Sequence, residues 1–295
     1  MTSRKVYSKS IHHTNKNSTR SENVPSKDLK LMMISCEDEP PYGPSSNVAE
    51  MFLELLSNAY LQSHQYKVLN FSITVYEAKQ KDYPIEEEWD MFDGILLPGS
   101  FSSAYDSDEW IQHLKRVIQT EIHKRERKTL AICFGHQVVA HSFADSNCPK
   151  QQQPCIPCPA SIQLGPRNFE NASSTSNTND MNGKSILYTH GDMVQKLPDC
   201  AESLGGNQSV PIQGAVYYTK ESKKPFIYSF QGHPEYASEL GLKTFNDILQ
   251  WMDNNDKMPK EYITTAKLNA VERFDKIHRD SIKTMHTVAH DFNWM

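Results

Sequence analysis

The sequence predicts an α/β fold: a central, mostly parallel sheet with helices on both faces and a small antiparallel extension. Two observations support this prediction. Strand-length apolar runs alternate with helical segments as far as residue 140, which is typical of a parallel sheet covered on both faces. From about residue 186 the strand signals follow one another with little helix between them, which is typical of antiparallel or mixed pairing.

Each predicted strand is a short apolar run bounded by turn residues. Helices are expected between the parallel strands. The first has Asn47 as its N-cap, the second carries apolar side chains from Trp110 to Ile122 on one face, and a third begins just after Cys133. The strands are expected at 29–35, 71–76, 94–97, 129–132, 186–189, 214–219 and 226–230.

By composition the chain divides into a tail, one domain and a C-terminal extension. Residues 1–28 lack hydrophobic periodicity, so we expect a disordered tail; an organelle transit peptide is the alternative, because no acid precedes Glu22. Residues 29–255 form the domain, in which the Asn-, Ser- and Thr-rich residues 171–182 are a solvated loop insertion. Residues 256–295 form a helical extension with an apolar stripe of Leu268, Val271, Phe274, Ile277, Ile282, Met285 and Val288.

The composition argues against several classes of protein. A net charge of −5 is unlike that of nucleic-acid or membrane-surface binders, which are normally basic. No apolar run approaches the ~20 residues that span a bilayer, and no apolar signal segment follows the start. Six cysteines in 295 residues do not make a small secreted disulfide framework, so a cytoplasmic location is expected.

Residues 131–137, Ala-Ile-Cys-Phe-Gly-His-Gln, lead from a strand through a turn of small residues into a helix. This layout is that of a nucleophile elbow, and it sets Cys133 at the carboxyl end of the sheet, where open α/β folds bind ligands. The helix N-terminus behind Cys133 favours a thiolate and supplies backbone N–H groups for an oxyanion. Cys133 is therefore the predicted nucleophile, and a buried structural cysteine is the alternative.

Two further segments can converge on this turn. Residues 231–236, Gln-Gly-His-Pro-Glu-Tyr, directly follow the last predicted strand. His233 can accept the thiol proton and pass it on, and Glu235 can orient the imidazole ring. Residues 98–100, Pro-Gly-Ser, end another central strand, and a backbone N–H there would form an oxyanion hole with that of Phe134.

The elbow and the later Gln-x-His-Pro-Glu sequence resemble the signature pair of class I glutamine amidotransferases. Residues 188–194, Tyr-Thr-His-Gly-Asp-Met-Val, are similar to the Ser-His-x-Asp-x-Val segment of that family, and residues 93–106 to its oxyanion strand and loop. The resemblance extends over residues 29–255 and implies a flavodoxin-like domain. It also implies a catalytic triad with a set of oxyanion and substrate residues: Cys133, His233 and Glu235, with Gly99, Ser100, Phe134, Gln137 and His190.

The sequence departs from the family pattern at two places. Ala131 stands where the family has the first glycine of the elbow. Residues 155–164 replace a Gly-rich strand that carries a Glu, which leaves the contacts to the α-amino and carboxylate groups of a substrate open. An alternative role for His190 and Asp192 is to brace the antiparallel extension.

We therefore expect a cysteine hydrolase of glutamine metabolism that cleaves a γ-glutamyl amide, either glutamine or a γ-glutamyl peptide, through a thioester on Cys133. No metal or other cofactor is expected, because Cys148, Cys155 and Cys158 offer three thiols with flanking prolines, which favours a surface loop over a zinc or redox site. The expected partner is the small-molecule substrate, with neither nucleic acid nor membrane. Two alternatives stay open: a glutaminase subunit that delivers ammonia to a separate synthase, and a catalytically silent regulatory or binding protein on the same fold.

Overall fold

The computed structural model describes residues 4–12, 26–61, 68–143, 153–159, 162–170 and 181–295. Its helices are α1 (Ser45–Tyr60), α2 (Glu109–Val117), α3 (Phe134–Ser142), α4 (Glu239–Asn254), α5 (Lys260–Glu272) and α6 (Phe274–Asp291), beside shorter 3-10 and π-helical turns. Its strands are β1 (Val6–His12), β2 (Ser26–Ser35), β3 (Val68–Glu77), β4 (Gly94–Leu97), β5 (Thr129–Ile132), β6 (Cys155–Pro157), β7 (Gln163–Asn168), β8 (Ser185–His190), β9 (Asp192–Val194), β10 (Ala201–Gly205), β11 (Gly214–Tyr218) and β12 (Pro225–Phe230).

The central sheet has eight strands in the order β1-β3-β2-β4-β5-β12-β11-β10. Strands β3, β2, β4, β5 and β12 run parallel to one another. At one edge β1 pairs antiparallel with β3, and at the other β11 and β10 continue the sheet antiparallel. The predicted fold class, a mostly parallel sheet with an antiparallel extension, is confirmed.

The parallel strands are buried on both faces, which explains why their sequences read as continuous apolar runs. In β2, Leu31 and Met33 join the hydrophobic cluster on one face, which includes residues of α1, α4 and α6. Met32 and Ile34 join the cluster on the other face, which includes residues of α2 and α3. Helices therefore cover the sheet on both sides.

The strand register brings the carboxyl ends of three neighbouring strands together. Leu97 of β4 pairs with Ala131 of β5, and Ile132 of β5 pairs with Phe230 of β12. The segments that follow these strands leave the same edge of the sheet, and they are the three segments in which the sequence places reactive side chains.

The prediction of a disordered tail over residues 1–28 is wrong for its described parts. Val6–His12 form β1, which pairs with β3 from Val6 opposite Thr74 to His12 opposite Val68, and residues 26–28 already belong to β2. Tyr7 and Ile11 pack against the core. Backbone pairing to a sheet edge orders this polar segment, and composition carries no signal of such pairing. Residues 13–25 lie outside the described residues, as do residues 171–180 of the predicted loop insertion.

The C-terminal region is helical, as predicted, but its apolar residues do not form one stripe. Ile282 and Met285 of α6 are buried, whereas Leu268 and Val271 of α5 are 58% and 62% exposed. The helical conformation is interrupted at Arg273, between α5 and α6. Side chains at helical spacing in α5 therefore do not continue onto the same face in α6. None of the described helices combines the length and apolar content needed to cross a bilayer.

The end of the chain packs against the central sheet. Trp294 is fully buried, and its indole N–H donates a hydrogen bond to the carbonyl oxygen of Asp93 at 3.1 Å. A Cβ atom on Gly94 would lie 2.2 Å from the Trp294 ring, so the indole needs a glycine at the start of β4. The C-terminal helices are thereby held to the same core as the sheet.

Candidate active site

Cys133 lies between β5 and α3 in a strained backbone conformation. Its φ is +53° and its ψ is −107°, a region that costs a non-glycine residue about 1–3 kcal/mol. Its amide donates to the carbonyl oxygen of Phe230 at 2.8 Å, and its own carbonyl accepts from the Gln137 amide at 3.1 Å. These bonds hold the turn that the sequence predicted as a nucleophile elbow.

The helix behind Cys133 can approach the sheet because residue 135 is glycine. A Cβ atom on Gly135 would lie 2.2 Å from the carbonyl oxygen of Leu97, which is well inside the van der Waals contact distance of the two atoms. Ala131, which departs from the family pattern, is buried within β5. A small residue at each position fits the close contact between α3 and the ends of β4 and β5.

His233 and Glu235 follow β12 and face each other. His233 Nδ1 lies 2.8 Å from Glu235 Oε1, and both residues are almost fully buried. The Tyr236 ring stacks on the imidazole with a centroid distance of 4.2 Å and an angle of 5°. His233 Nε2 lies 3.2 Å from the Thr189 hydroxyl, so both ring nitrogens and one ring face are held by neighbours.

The charges around His233 favour its protonated form. Burial lowers the pKa of this imidazole, but attraction to Glu235 and to Cys133 outweighs burial and raises the pKa to about 10. An imidazolium at neutral pH can give a proton to a leaving amine. A carboxylate on its far nitrogen stabilises the charge and fixes the ring.

Gly99 lies against both Cys133 and His233. A Cβ atom on Gly99 would be 3.4 Å from Cys133 Cβ, 3.1 Å from His233 Cε1 and 2.6 Å from the Tyr42 hydroxyl. The backbone of the loop after β4 therefore lies against the side chains of Cys133 and His233. The Ser100 side chain donates to Glu37 Oε2 at 3.0 Å and so is turned toward that carboxylate.

Glu37, just after β2, holds this loop in place, and the sequence analysis missed it. Its carboxylate accepts hydrogen bonds from the Ser100 hydroxyl, from the Phe101 amide at 2.8 Å and from Lys79 Nζ at 2.6 Å. Burial would raise the pKa of Glu37, but bonds from Lys79 and from the Phe101 amide hold it below its usual range. The signal in the sequence was weak: Glu37 is one of three consecutive acids, with Asp38 and Glu39, after a strand that neighbours β4.

The amides of Gln137 and Gln231 connect α3 to the sulfur. Gln137 Nε2 donates to Gln231 Oε1 and to the Asp192 carbonyl oxygen, both at 3.1 Å. Gln231 Nε2 lies 3.7 Å from Cys133 Sγ. The nearer amide is thus that of Gln231, a residue that the sequence analysis did not name among the site residues.

His190 and Asp192 are bonded mainly to the protein. Burial lowers the pKa of His190 to about 3, so the ring is neutral, and its Nδ1 donates to the Asp192 carbonyl oxygen at 2.7 Å. The Asp192 carboxylate accepts from Ser103 Oγ at 2.6 Å and from the Tyr105 hydroxyl at 2.8 Å. These bonds tie β9 to the loop after β4. A contact between His190 and substrate stays a prediction.

Strand β6 lies beside this segment; it begins with the thiol of Cys155 and is followed directly by that of Cys158. Cys155 pairs with Val194 of β9, and Cys158 Sγ lies 3.7 Å from His190 Nδ1. Burial and the nearby Asp192 raise the pKa of Cys158 to about 12, which makes it a poor nucleophile. Within the described ranges, no three or more His, Cys, Asp or Glu side chains lie together as metal ligands.

Comparison with known proteins shows the family to which this chain is similar. The sequence profile described as glutamine amidotransferase class-I matches residues 54–249, a range that contains all three predicted triad residues. A glutamine amidotransferase-like protein of Schizosaccharomyces pombe is 26% identical over 228 residues, covering 75% of this chain and 82% of that protein. Gamma-glutamyl peptidase 4 of Arabidopsis thaliana is 23% identical, covering 82% and 88%.

The fold is found among solved structures as well. A glutamine amidotransferase from Thermotoga maritima superposes with a TM-score of 0.60 at 16% identity, covering 88% of this chain and 98% of that one. The match in fold agrees with the match in sequence, which spans most of the chain. This chain belongs to the class-I glutamine amidotransferase family.

Proposed function

We propose that this protein hydrolyses γ-glutamyl amides through a thioester on Cys133, with His233 transferring protons and Glu235 orienting it. The observation that carries the proposal is the convergence of three strand ends: a strained Cys133, the buried His233–Glu235 pair and the backbone of Gly99 against both. A nucleophile, an oriented base and nearby backbone are the parts that acyl transfer needs.

The reaction proceeds in two steps. The Cys133 thiol gives its proton to His233 and the sulfur attacks the γ-carbonyl carbon. The carbonyl oxygen becomes an oxyanion beside the backbone N–H groups of the Gly99–Ser100 loop and of Phe134. The carbon–nitrogen bond then breaks as a proton moves from His233 to the leaving nitrogen. In the second step, water gives a proton to His233 and attacks the thioester carbon. The carbon–sulfur bond breaks, glutamate is released, and His233 returns the proton to the sulfur.

The relatives favour a γ-glutamyl peptide or glutamine as substrate. Several similar proteins are named gamma-glutamyl peptidase, and this chain covers 88% of one of them. The second candidate is a glutaminase that feeds ammonia to a separate synthase. It is supported by a glutamine-hydrolysing GMP synthase of Campylobacter hominis, of which the match covers 31%.

One assay separates these functions. We expect the purified protein alone to turn over at least one member of a panel of glutamine, γ-glutamyl dipeptides and glutathione. Cys133→Ala and His233→Ala should lose this activity, and Glu235→Gln should keep a weak one. Background rates that rise only when a co-purified protein is added would favour the synthase-linked glutaminase. Background rates under all conditions would favour a silent binding protein.

A further inference from the structure

We propose that the leaving amine of the substrate binds against an aromatic wall made of Tyr42, Phe101 and Trp251. The protein then prefers γ-glutamyl compounds whose leaving amine carries an apolar or aromatic group. This inference rests on the proposed hydrolysis and specifies its substrate class.

The two sides of the sulfur atom differ in chemistry. On one side lie amide and carboxylate groups: the linked side chains of Gln137 and Gln231, then Asp192 with its bonds to Ser103 and Tyr105. Polar groups of this kind suit the charged α-amino and α-carboxylate groups at the glutamyl end of a substrate. The glutamyl end is therefore expected on this polar side.

The leaving amine must lie on the side of His233, because this ring gives the leaving nitrogen its proton. On that side, beyond the Thr189 hydroxyl at Nε2, the neighbours include several aromatic rings. Tyr236 stacks on His233, and the Tyr42 hydroxyl lies 2.6 Å from a Cβ atom placed on Gly99. The Tyr42 and Phe101 rings then meet edge to face, with centroids 5.0 Å apart and an angle of 81°.

The wall continues away from the site through Trp251 of α4. The Phe101 and Trp251 rings stack with centroids 5.0 Å apart and an angle of 28°. Tyr42 is buried, but Phe101 is 39% exposed and Trp251 is partly exposed. The Phe101 amide donates a hydrogen bond to Glu37, which fixes the backbone that carries the exposed ring. Phe101 follows Gly99 by two residues in the same loop.

In this arrangement the exposed Phe101–Trp251 pair, which begins two residues after Gly99, can stack on an apolar leaving group. Ammonia, the leaving group of glutamine, is too small to reach it. Burial of a phenyl ring against such a pair corresponds to about a fivefold to tenfold gain in kcat/KM. A purely structural role for the pair, packing α4 onto the loop after β4, predicts no such preference.

The test compares kcat/KM for γ-glutamyl-phenylalanine and for glutamine in wild type and variants. Trp251→Ala should lower the ratio of the two values about fivefold, mainly through a higher KM for the aromatic substrate. Trp251→Phe should restore most of the ratio. Leu268→Ala, at an exposed apolar position on α5, is the matched control and should leave the ratio at the wild-type value.

The outcomes separate the inference from the function on which it rests. If Trp251→Ala lowers both values equally, or if the ratio does not change, the aromatic pair is a packing contact and the inference is overturned. If Trp251→Ala does not fold, Phe101→Leu is the second variant, because it removes the aromatic ring and keeps most of the side-chain bulk. The same ratio of kcat/KM values is then measured for Phe101→Leu, with the same two outcomes. No turnover of any γ-glutamyl compound by wild type would instead reject the proposed hydrolysis, and the substrate preference with it.

Discussion

The Glu37→Gln substitution should weaken both the fold and the predicted oxyanion loop. Glu37 is 4% exposed. It accepts bonds from Lys79 and from the Asp38 and Glu39 amides at one oxygen, and from Ser100 and Phe101 at the other. A glutamine has the same shape but one acceptor fewer. Its NH2 group must face either the Lys79 ammonium with the Asp38 and Glu39 amides or the Phe101 amide, and each of these groups is itself a donor.

The magnitude follows from the bonds that are lost. One charge-assisted hydrogen bond contributes about 1.5–3 kcal/mol, and Asp38 still pairs with Lys79 at 2.7 Å, which limits the cost of the unpaired cation. We expect the free energy of unfolding to fall by about 2–3 kcal/mol, a drop in Tm of roughly 4–12 °C. Removing an oxyanion donor costs 10²–10³ in kcat, so a displaced loop should lower kcat by about 10- to 100-fold.

The assay is thermal unfolding together with kcat on a γ-glutamyl substrate, with Glu39→Gln as the control. Glu39 is exposed and two residues away, so the same chemical change there should alter neither quantity. The pKa of Glu37 is lowered in the folded state. The stability that the ionised Glu37 contributes is therefore fully present above the unfolded-state pKa of about 4.3. It is lost as pH falls through the lower pKa of the folded state. An unchanged Tm and kcat at pH 7 would refute the role given to Glu37.

Three further perturbations test other parts of the structure. Glu235→Gln should lower the pKa of His233 well below 10, because burial then acts without the attracting carboxylate. In wild type the pair stabilises the fold fully below about pH 6.5. This stability is lost as pH rises through about 10. An NMR titration of the His233 ring that stays the same would contradict this. Gly135→Ala should cost about 1–3 kcal/mol of stability through the 2.2 Å contact, whereas Gly191→Ala, whose nearest contact is 3.6 Å, should cost less; equal melting temperatures would be inconsistent with that packing. Deleting residues 1–12 should expose the edge of β3 and lower the Tm, and an unchanged Tm would show that β1 adds no stability.

Much of the sheet could be predicted because its central strands are buried on both faces. The runs expected at 94–97 and 129–132 coincide with β4 and β5. Helix starts were harder to predict. Helix α1 begins at Ser45 with Pro44 at the N-cap position and no side-chain cap, so its N-cap lies three residues before the predicted N-cap, Asn47. Several adjacent polar residues can cap a helix, and local sequence does not choose among them.

The candidate site likewise contains residues that the sequence predicted and residues that only the structure revealed. Cys133, His233 and Glu235 stand in short motifs at strand ends, so chemistry and order along the chain were enough to propose them. Glu37 and Trp251 approach the site from elsewhere in the chain, and only the packing of the loop after β4 brings them there. No local pattern marks a residue whose role depends on a distant neighbour.

The central claim is that Cys133 carries the γ-glutamyl group during turnover. The most direct measurement is mass spectrometry after an acid quench of the protein with a γ-glutamyl substrate, followed by digestion and peptide mapping. We expect one glutamyl group on the peptide that contains Cys133, and neither adduct nor turnover in folded Cys133→Ala. A glutamyl adduct on Cys155 or Cys158, or normal turnover by Cys133→Ala, would contradict the account.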